Sequence, residues 1–320
     1  MQVHEDFDLS HVLWFRIGGK AKYFLQCTRR KDIFEALDFV EEHHPERIFV
    51  CGQGSNLIFT DDYFDGVVIQ IGTATKPQIS FADNLATAFA GETLDSLIQL
   101  SFHHNLLGLE WAGGLPGTVG AGVRGNVGAF GGEIKDRLVA AEVLQFDDKN
   151  IDVLEMKNVD FNFSYRQSIV KEKRNMILTA AQFHLDHATR EEVIKAQHIY
   201  MRNIEYRKAH HPLEYPNCGS VFKNIKKPEE VAKVVDIWPD IRPLVKEKWH
   251  GKVSMGYIIN RLGFSGYTIG NARVSEKHAN FINNLGSATA KDVLTIIKRI
   301  QEMAQETFSI TPEVEVEIVK

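Results

Sequence analysis

The part of this sequence best suited to chemistry is a glycine-rich stretch at residues 115–133, with seven glycines in nineteen residues. Glycine costs conformational entropy on folding, so such a run needs a structural reason. The usual reason is a close approach of the backbone to a ligand, often a phosphate, whose oxygens accept hydrogen bonds from backbone N–H groups. A second glycine turn lies upstream at residues 52–56. Together the two turns predict a nucleotide cofactor that contains a pyrophosphate.

Residues 120–125 also match the G-x-G-x-x-G pattern of Rossmann dinucleotide sites, with an acidic pair, Asp147 and Asp148, further along the chain. We reject this interpretation, because that motif follows a strand and opens a helix. Here it follows a Pro/Gly-rich turn and precedes more glycine. A surface linker is disfavoured as well, since linkers are rich in charge and serine, whereas this stretch is apolar between its glycines.

Two other short motifs carry side chains that could act on a substrate. Arg166 offers a fixed fork of donors that suits a carboxylate or a phosphate, and Ser220 stands on a tight turn beside Lys223. On residue type alone, Arg166 is interpreted as a surface ion pair and Ser220 as a turn serine. The histidine pairs at 43–44, 103–104 and 210–211 lack metal-ligand spacing, so no metal site is predicted.

Hydrophobic periodicity predicts strands and helices around these motifs. The strands are expected at 22–27, 47–51, 67–71, 85–90, 137–146 and 176–185, and the helices at 30–44, 93–104, 189–207 and 290–307. Thr289 is expected to cap the last helix. The alternation of Glu313, Glu315 and Glu317 with valine and isoleucine predicts a half-buried terminal strand.

Composition excludes several classes of protein. The 320 residues allow two or three domains, and the net charge of −5 argues against general binding of nucleic acid or anionic membranes. No apolar run approaches the ~20 residues of a membrane span, and the N-terminus lacks the pattern of a signal peptide. Three cysteines without C-x-x-C spacing predict no disulfide framework and favour a reducing, cytoplasmic location.

Taken in order, the motifs of this sequence resemble the UDP-N-acetylenolpyruvoylglucosamine reductase family, flavoenzymes of peptidoglycan precursor synthesis. The resemblance covers nearly the whole chain and fits the branch that lacks an extra substrate-covering loop. Asn217 and Cys218 depart from it, because a small Ser-Ala pair is usual there. The segments that carry the resemblance are 14–19 (WFRIGG), 52–57 (GQGSNL), 108–120 (GLEWAGGLPGTVG), 126–134 (NVGAFGGEI), 165–168 (YRQS), 212–216 (PLEYP), 219–223 (GSVFK) and 275–281 (SEKHANF).

The resemblance implies an α+β fold with a vanillyl-alcohol-oxidase-type FAD-binding region of two subdomains and a third α+β domain that binds substrate. We expect the first FAD-binding subdomain at residues 1–72, the second at 73–208, the substrate-binding domain at 209–308, and a C-terminal strand with the catalytic glutamate at 309–320. The resemblance also implies that FAD is held without a covalent bond and that NADPH is the hydride donor.

Roles for individual residues follow from the same resemblance. Arg166 matches the arginine that binds the substrate carboxylate, Ser220 the serine proton donor, and Glu315 the catalytic glutamate. Glu313 remains an alternative for that glutamate. The matched substrate-binding positions are Tyr215, Asn224 and Lys252. The matched cofactor-binding positions are Gly52, Gln53, Gly54, Ser55, Asn56, Leu57, Leu115, Pro116, Gly117, Thr118, Gly120, Asn126, Val127 and Gly128.

The implied activity is the reduction of UDP-N-acetylglucosamine enolpyruvate to UDP-N-acetylmuramate by a cytoplasmic monomer, with no nucleic-acid partner and no membrane insertion. An FAD-dependent sugar or alcohol oxidase of the same fold is the alternative. Such oxidases usually tether the flavin, and no histidine or cysteine stands within residues 52–56. A nucleotide-binding regulator without catalysis is a further alternative, which conflicts with the retention of Arg166, Ser220 and a terminal glutamate.

Overall fold

The structure is a computed structural model that describes residues 1–147 and 150–320, so Asp148 of the acidic pair lies outside the described residues. Among the described residues, no helix is both long and apolar enough to cross a membrane. The strands, β1 to β18, are Gln2–Asp8, Lys20–Cys27, Ile48–Cys51, Leu57–Phe59, Phe64–Ile71, Ile79–Ala82, Leu85–Phe89, Leu106–Leu107, Gly128–Ala129, Gly132–Glu133, Leu138–Phe146, Ile151–Lys157, Met176–His184, Asp186–His187, Thr268–Ile269, Ala272–Val274, Ile282–Asn284 and Glu317–Val319. The helices, α1 to α8, are Arg30–His43, Leu94–His103, Val119–Arg124, Ile169–Glu172, Arg190–His210, Pro228–Ile237, Met255–Arg261 and Ala290–Phe308.

Backbone contacts divide the chain into two compact units, each built from separated stretches. The first glycine turn is divided between them after Gln53. Unit 1 comprises Met1–Phe7, Ala21–Gln53 and Phe64–Ala209, and unit 2 comprises Asp8–Lys20, Gly54–Tyr63 and His210–Lys320.

Unit 1 contains two larger sheets. One has the strand order β1-β2-β5-β3, with β5 parallel to β2 and β3, and all of its strands lie before residue 72. The other is antiparallel in the order β12-β11-β13-β7-β6, and its strands lie between residues 79 and 184. Consecutive residues of β5, such as Val67, Val68 and Ile69, are 0% exposed, as expected for a strand that is covered on both faces.

Unit 2 is organised around its last helix, α8. The Thr289 side chain accepts a hydrogen bond from the Asp292 N–H at 3.1 Å, and the Asp292 side chain accepts one from the Thr289 N–H at 3.0 Å, which is a capping box. Val293, Ile297 and Ile300 are at most 4% exposed and form the buried stripe of this amphipathic helix. The predicted cap and stripe are confirmed. Helix α8 packs on the antiparallel sheet β15-β16-β17.

Most predicted elements are confirmed to within a few residues, but two predictions were wrong in part. The glycine-rich stretch contains a short helix, α3, whose cap residue Thr118 accepts a hydrogen bond from the Ala121 N–H at 3.3 Å. Glycine has a low helix propensity, so the pattern gave no sign of this helix. The terminal strand is shorter than predicted, because β18 begins only at Glu317. Before it, Val314 forms an isolated bridge with Phe222.

Candidate active site

The two predicted cofactor loops meet within unit 1. A Cβ atom added to Gly52 would lie 2.6 Å from Thr118 Oγ1, closer than real side chains approach. The N–H of Gly117 donates to Gln53 Oε1 at 3.2 Å. Gly117 has φ +120°, a conformation that favours glycine. The structure therefore brings Gly52, Gln53, Gly117 and Thr118 together, and their binding of FAD stays a prediction.

Several backbone N–H groups of the second glycine loop form hydrogen bonds with carbonyls of the protein instead. The Gly120 N–H donates to the Ala90 carbonyl at 2.8 Å, and the Leu115 N–H donates to the Ala112 carbonyl at 2.9 Å. A Cβ atom on Gly120 would lie 2.8 Å from Ala90 Cβ, so packing explains the glycine at this position. Pro116 has no N–H to donate. The expectation that the glycine-rich stretch leaves its N–H groups free for a ligand therefore fails at these positions.

Asn126 is a buried residue of unit 1 whose side chain forms hydrogen bonds with three other residues. Its side chain is 0% exposed. Its Nδ2 donates to Glu133 Oε2 at 3.1 Å and to the Ser164 carbonyl at 3.0 Å, and its Oδ1 accepts from the Lys135 N–H at 3.2 Å. Both donors and the acceptor of this amide are therefore engaged within the protein. Asn126 thus positions Glu133 and the turn that follows Ser164.

The neighbours of Asn126 are also tied into the backbone of unit 1. The Val127 N–H donates to the Gly122 carbonyl at 2.9 Å. Gly128 pairs with Glu133 in a short antiparallel ladder, and a Cβ atom on Gly128 would lie 2.7 Å from Glu133 Cγ. The glycine at 128 therefore allows this close pairing.

Arg166 stands at the tip of a tight turn. Two backbone hydrogen bonds of 3.2 Å join Ser164 and Gln167 across the turn, and Arg166 has φ +61°, a left-handed conformation that is strained for a residue with a side chain. Its Nη2 donates to the Gly128 carbonyl at 2.6 Å, and its guanidinium lies 5.0 Å from the centroid of the Tyr165 ring. The turn and these contacts hold the guanidinium in one orientation.

The carboxylate of Glu133 is part of the same cluster. Burial acts to raise the pKa of Glu133, but hydrogen bonds from Lys135 and Asn126 and the charge of Arg166 outweigh it and hold that pKa below its usual range. Glu133 is therefore ionised at neutral pH and complements the positive charge of Arg166. Glu133 lies in the 126–134 motif, but the sequence gave no sign that it would contact Asn126, Lys135 and Arg166.

The second half of the first glycine turn belongs to unit 2. Gly54 has φ +68°, and a Cβ atom there would lie 2.5 Å from Leu13 Cδ2. Leu57 begins β4, which pairs in parallel with the terminal strand β18. The turn is therefore anchored beside the C-terminal segment by a strand pairing that residues 52–57 alone could not reveal.

Within unit 2, predicted cofactor residues lie next to predicted catalytic residues. Asn56 Nδ2 donates to the Glu315 carbonyl at 3.4 Å. A Cβ atom on Gly219, the residue before Ser220, would lie 3.8 Å from the Ser55 carbonyl oxygen. Ser55 and Asn56 are thus neighbours of the segments that carry Ser220 and Glu315.

Ser220 follows a turn that Asn217 builds. Asn217 is 5% exposed. Its Nδ2 donates to the carbonyls of Pro212 and Tyr215 at 3.1 and 2.9 Å, and its Oδ1 accepts from the Gly219 N–H at 3.0 Å. The asparagine that departs from the family pattern therefore satisfies its polar groups inside the turn that precedes Ser220.

Asn280 fixes the backbone on the other side of Ser220. Its Oδ1 accepts from the Phe222 N–H at 3.0 Å, and its Nδ2 donates to the Phe222 carbonyl at 2.8 Å. The Asn280 carbonyl accepts from the Val221 N–H at 2.8 Å. Asn280 lies in the 275–281 motif, but the sequence gave no sign of this role, because its partner lies 58 residues away.

The C-terminal segment runs antiparallel to the segment after Ser220. The Lys223 N–H donates to the Glu313 carbonyl at 2.9 Å, and the Glu315 N–H donates to the Val221 carbonyl at 2.7 Å. The exposed carboxylate of Glu313 forms an ion pair with the Lys223 ammonium. Glu315 is half-buried and bonded to the residue that follows Ser220. Which of these two glutamates is catalytic stays a prediction.

The predicted substrate-binding residues also lie in unit 2. Ile225 and Val253, the residues that follow Asn224 and Lys252, form an isolated antiparallel bridge. Asn224 Oδ1 accepts from the Met255 N–H at 3.0 Å, and Lys252 is exposed. The Tyr215 ring centroid lies 5.6 Å from the Arg273 guanidinium. Their contact with a substrate stays a prediction.

Comparison with known families agrees with the class of protein that these features indicate. Residues 21–152 match the FAD-binding domain family, and residues 211–319 match the C-terminal domain of UDP-N-acetylenolpyruvoylglucosamine reductase. The glycine loops lie within the first match, and Ser220 and Glu315 lie within the second. Fold and site together define an FAD-dependent oxidoreductase.

Similarity to whole proteins identifies the family. The chain is 36% identical to the UDP-N-acetylenolpyruvoylglucosamine reductase of Caldicellulosiruptor bescii, over 98% of this chain and 90% of that one. It is 33% identical to that of Anoxybacillus flavithermus, over 99% and 94%. The crystal structure of the Thermus caldophilus reductase matches with a TM-score of 0.73 and 26% identity, over 100% of this chain and 98% of that chain. The chain belongs to the UDP-N-acetylenolpyruvoylglucosamine reductase family, which confirms the predicted family and α+β fold class.

Proposed function

We propose that this chain reduces the enolpyruvyl group of UDP-N-acetylglucosamine enolpyruvate to give UDP-N-acetylmuramate, with NADPH as the hydride donor. The observation that carries the proposal is the arrangement in unit 2. There the backbone N–H of Glu315 donates to the carbonyl of Val221, the residue after Ser220, and the Asn56 side chain donates to the Glu315 carbonyl. A proton donor, a carboxyl group and a predicted cofactor residue thus share one region, as a reduction followed by protonation requires.

FAD as the cofactor of unit 1 is supported by the match of residues 21–152 to the FAD-binding domain family. The two glycine loops lie together within that match, because Gly52 contacts Thr118 and the Gly117 N–H donates to Gln53 Oε1. We propose that Gly52, Gln53, Gly117 and Thr118 hold the FAD pyrophosphate without a covalent bond. When bound, FAD accepts hydride from NADPH and passes it to the substrate.

Arg166 is proposed to bind the substrate carboxylate. When hydride reaches the terminal vinyl carbon, negative charge develops toward that carboxylate. A bidentate guanidinium stabilises this charge more strongly than it stabilises the ground state, which is the condition for catalysis. The bond to the Gly128 carbonyl orients the guanidinium before the substrate arrives, so less reorganisation is needed during the reaction.

Ser220 is proposed to donate its hydroxyl proton to the α-carbon, which completes the addition of a hydride and a proton across the double bond. A serine is a poor acid in water and needs a positioned neighbour. The Lys223 ammonium is paired with the Glu313 carboxylate, whereas the backbone N–H of Glu315 donates to the carbonyl of Val221, the residue after Ser220. We therefore propose Glu315 as the group that assists this proton transfer.

We also propose two FAD-binding subdomains at 1–72 and 73–208, a substrate-binding domain at 209–308 and a catalytic C-terminal strand at 309–320. The boundary at 72 is supported by the two sheets of unit 1, which use strands from opposite sides of it. A cytoplasmic location is supported by the state of the described cysteines, Cys27, Cys51 and Cys218, which are buried and form no disulfide. The protein is proposed to be a monomer, which size-exclusion chromatography with light scattering tests.

The two half-reactions test the proposed function directly. The purified protein should be yellow, NADPH should bleach it without oxygen, and the enolpyruvyl substrate should then restore the colour as UDP-N-acetylmuramate forms. A yellow protein that NADPH does not bleach, but that consumes oxygen with a sugar or an alcohol, would contradict the proposal and favour the oxidase. A colourless protein that does not bind added FAD would favour a regulator without catalysis.

A further inference from the structure

His278 is a half-buried histidine of unit 2 that has no part in the proposed function. It lies in the turn 275–281, which joins β16 to β17. The Ser275 N–H donates to the Phe281 carbonyl at 2.9 Å, and the Phe281 N–H donates to the His278 carbonyl at 2.9 Å. Inside the turn, the backbone N–H of Asn280 donates to Nδ1 of the His278 ring at 3.3 Å. The imidazole therefore supplies the acceptor for this N–H.

The other sides of the His278 ring are enclosed by the fold. The ring centroids of His211 and Phe281 lie 5.5 and 4.9 Å from its own. A Cβ atom on Gly256, in α7, would lie 3.0 Å from His278 Cε1. Because Nδ1 accepts a hydrogen bond only while it carries no proton, the bond from Asn280 defines a neutral ring with its proton on Nε2.

The surroundings of the ring also favour its neutral form. Burial lowers the pKa of His278 below its usual range, the charge of His210 acts in the same direction, and a hydrogen bond with its own backbone opposes the shift without reversing it. The ammonium of Lys277, its neighbour in the turn, is paired with the Glu214 carboxylate at 3.7 Å. The first turn of α7, all of which the structure describes, has no acidic residue. His278 is therefore neutral at pH 7 and gains a proton only in acid.

Asn280 links His278 to the segment that carries Ser220. Its amide bonds the N–H and the carbonyl of Phe222 at 3.0 and 2.8 Å, and its own carbonyl accepts from the Val221 N–H at 2.8 Å. Asn280 is 4% exposed, so little water is available to replace the acceptor that His278 supplies. A proton on Nδ1 would set two donors against each other and leave a buried N–H without an acceptor, which destabilises this arrangement.

We propose that His278 is a positioning residue for proton delivery: its neutral ring holds Asn280 and, through Asn280, the segment that carries Ser220, and protonation of the ring releases that segment. This inference rests on the proposed function, because it needs Ser220 as the proton donor. It makes the reoxidation of flavin by substrate sensitive to acid, whereas the reduction of flavin by NADPH does not involve Ser220. The reoxidation rate is therefore full above the usual histidine pKa of about 6.5 and falls as the pH drops through the lower pKa of His278.

Anaerobic stopped-flow absorbance of both half-reactions between about pH 5 and 8 tests the inference. His278→Asn keeps an acceptor that does not titrate, because an asparagine side chain can accept from the N–H two residues on. This variant should reoxidise at nearly the wild-type rate at neutral pH and lose the decline in acid. His278→Leu has no acceptor, so it should reoxidise about three- to tenfold more slowly at neutral pH, with no further decline in acid. The control His11→Asn replaces an exposed histidine of the same unit and should keep both the wild-type rate and the decline.

A decline in acid that persists in His278→Asn would overturn the inference and leave the proposed function standing. A wild type without such a decline, or with an equal decline in both half-reactions, would overturn it as well. A wild type whose reduced flavin is not reoxidised by the enolpyruvyl substrate at any pH would instead overturn the proposed function itself.

If His278→Asn does not fold, the NMR signal of the Asn280 amide proton in the wild type decides. The signal should shift with the same midpoint pH as the reoxidation rate, because Nδ1 of His278 is the acceptor for that proton. A signal that does not change over this pH range would overturn the inference.

Discussion

Replacing Asn280 with alanine should slow proton delivery by Ser220 while leaving flavin reduction by NADPH nearly unchanged. Asn280 is 4% exposed, and its amide bonds both the N–H and the carbonyl of Phe222, at 3.0 and 2.8 Å. The alanine variant loses both bonds, and the segment from Ser220 to Phe222 then keeps only backbone support. Asn280 is therefore a positioning residue, since it acts on the substrate only through Ser220.

The size of the effect follows from burial. A buried polar group left without a partner costs about 1–3 kcal/mol, so two such groups at Phe222 should lower the free energy of unfolding by about 2–6 kcal/mol. If the substitution raises the activation free energy of protonation by only about 1.4 kcal/mol, reoxidation by substrate slows about tenfold. We expect a loss of about tenfold or more in that half-reaction.

Anaerobic stopped-flow absorbance of the flavin measures both half-reactions, and urea unfolding measures stability. The matched control is Asn283→Ala, because Asn283 is 3% exposed in the same unit and its Oδ1 has no hydrogen-bond partner among the described residues. The reasoning is refuted if Asn280→Ala loses stability but reoxidises at the wild-type rate. Equal slowing of both half-reactions would also refute it, because Ser220 takes part only in the second.

Three further outcomes are expected. Gly117→Val should release flavin and keep its far-UV circular dichroism, because valine is strained at φ +120°, whereas Gly72→Val, with open space at its Cβ position, should stay yellow. Arg166→Ala should lose reoxidation by substrate but keep reduction by NADPH, and a parallel loss of both rates would mean that Arg166 is structural. Burial acts to raise the pKa of Asp32, but hydrogen bonds from the Thr28 N–H and the Arg29 side chain hold it well below its usual range. The ionised Asp32 carboxylate therefore makes its full contribution to the free energy of unfolding above the unfolded-state pKa of about 3.9, and this contribution is lost as the pH falls through the folded-state pKa. Urea unfolding at pH 7 and in acid should show Asp32→Asn less stable at pH 7 and less sensitive to acid, and equal stabilities at pH 7 would contradict this.

Local signals in the sequence predicted the features that depend on neighbouring residues. The cap at Thr289 and the stripe of α8 follow from side chains three or four positions apart. The glycine turns were found because Gly52 and Gly117 must accept a conformation or a close approach that other residues resist. Strands such as β11 and β13 were found from apolar runs of the right length.

Features that depend on distant partners could not be predicted in this way. The sequence around Gly120 did not show that this glycine lies in the first turn of α3, with its N–H bonded to the Ala90 carbonyl and no room for a side chain beside Ala90. Its contact with the cofactor stays a prediction. Glu315 could not be separated from Glu313 by alternation alone, because the choice depends on pairing with the segment after Ser220. The position of the His278 ring against Gly256 of α7 and the ring of His211 could not be predicted from the turn that contains it.

The rate at which substrate reoxidises the reduced flavin of Ser220→Ala tests the central claim most directly. Ser168→Ala is the control, because Ser168 is buried at the N-cap of α4, where its hydroxyl donates a 2.6 Å hydrogen bond to the Arg124 carbonyl. The account predicts that Ser220→Ala binds FAD, is bleached by NADPH and binds substrate, yet is reoxidised more slowly by about 10²–10⁴-fold. Ser220→Cys should recover part of the rate, and Ser168→Ala should remain close to the wild type. Reoxidation of Ser220→Ala at nearly the wild-type rate would contradict the account and leave Ser220 as a turn residue.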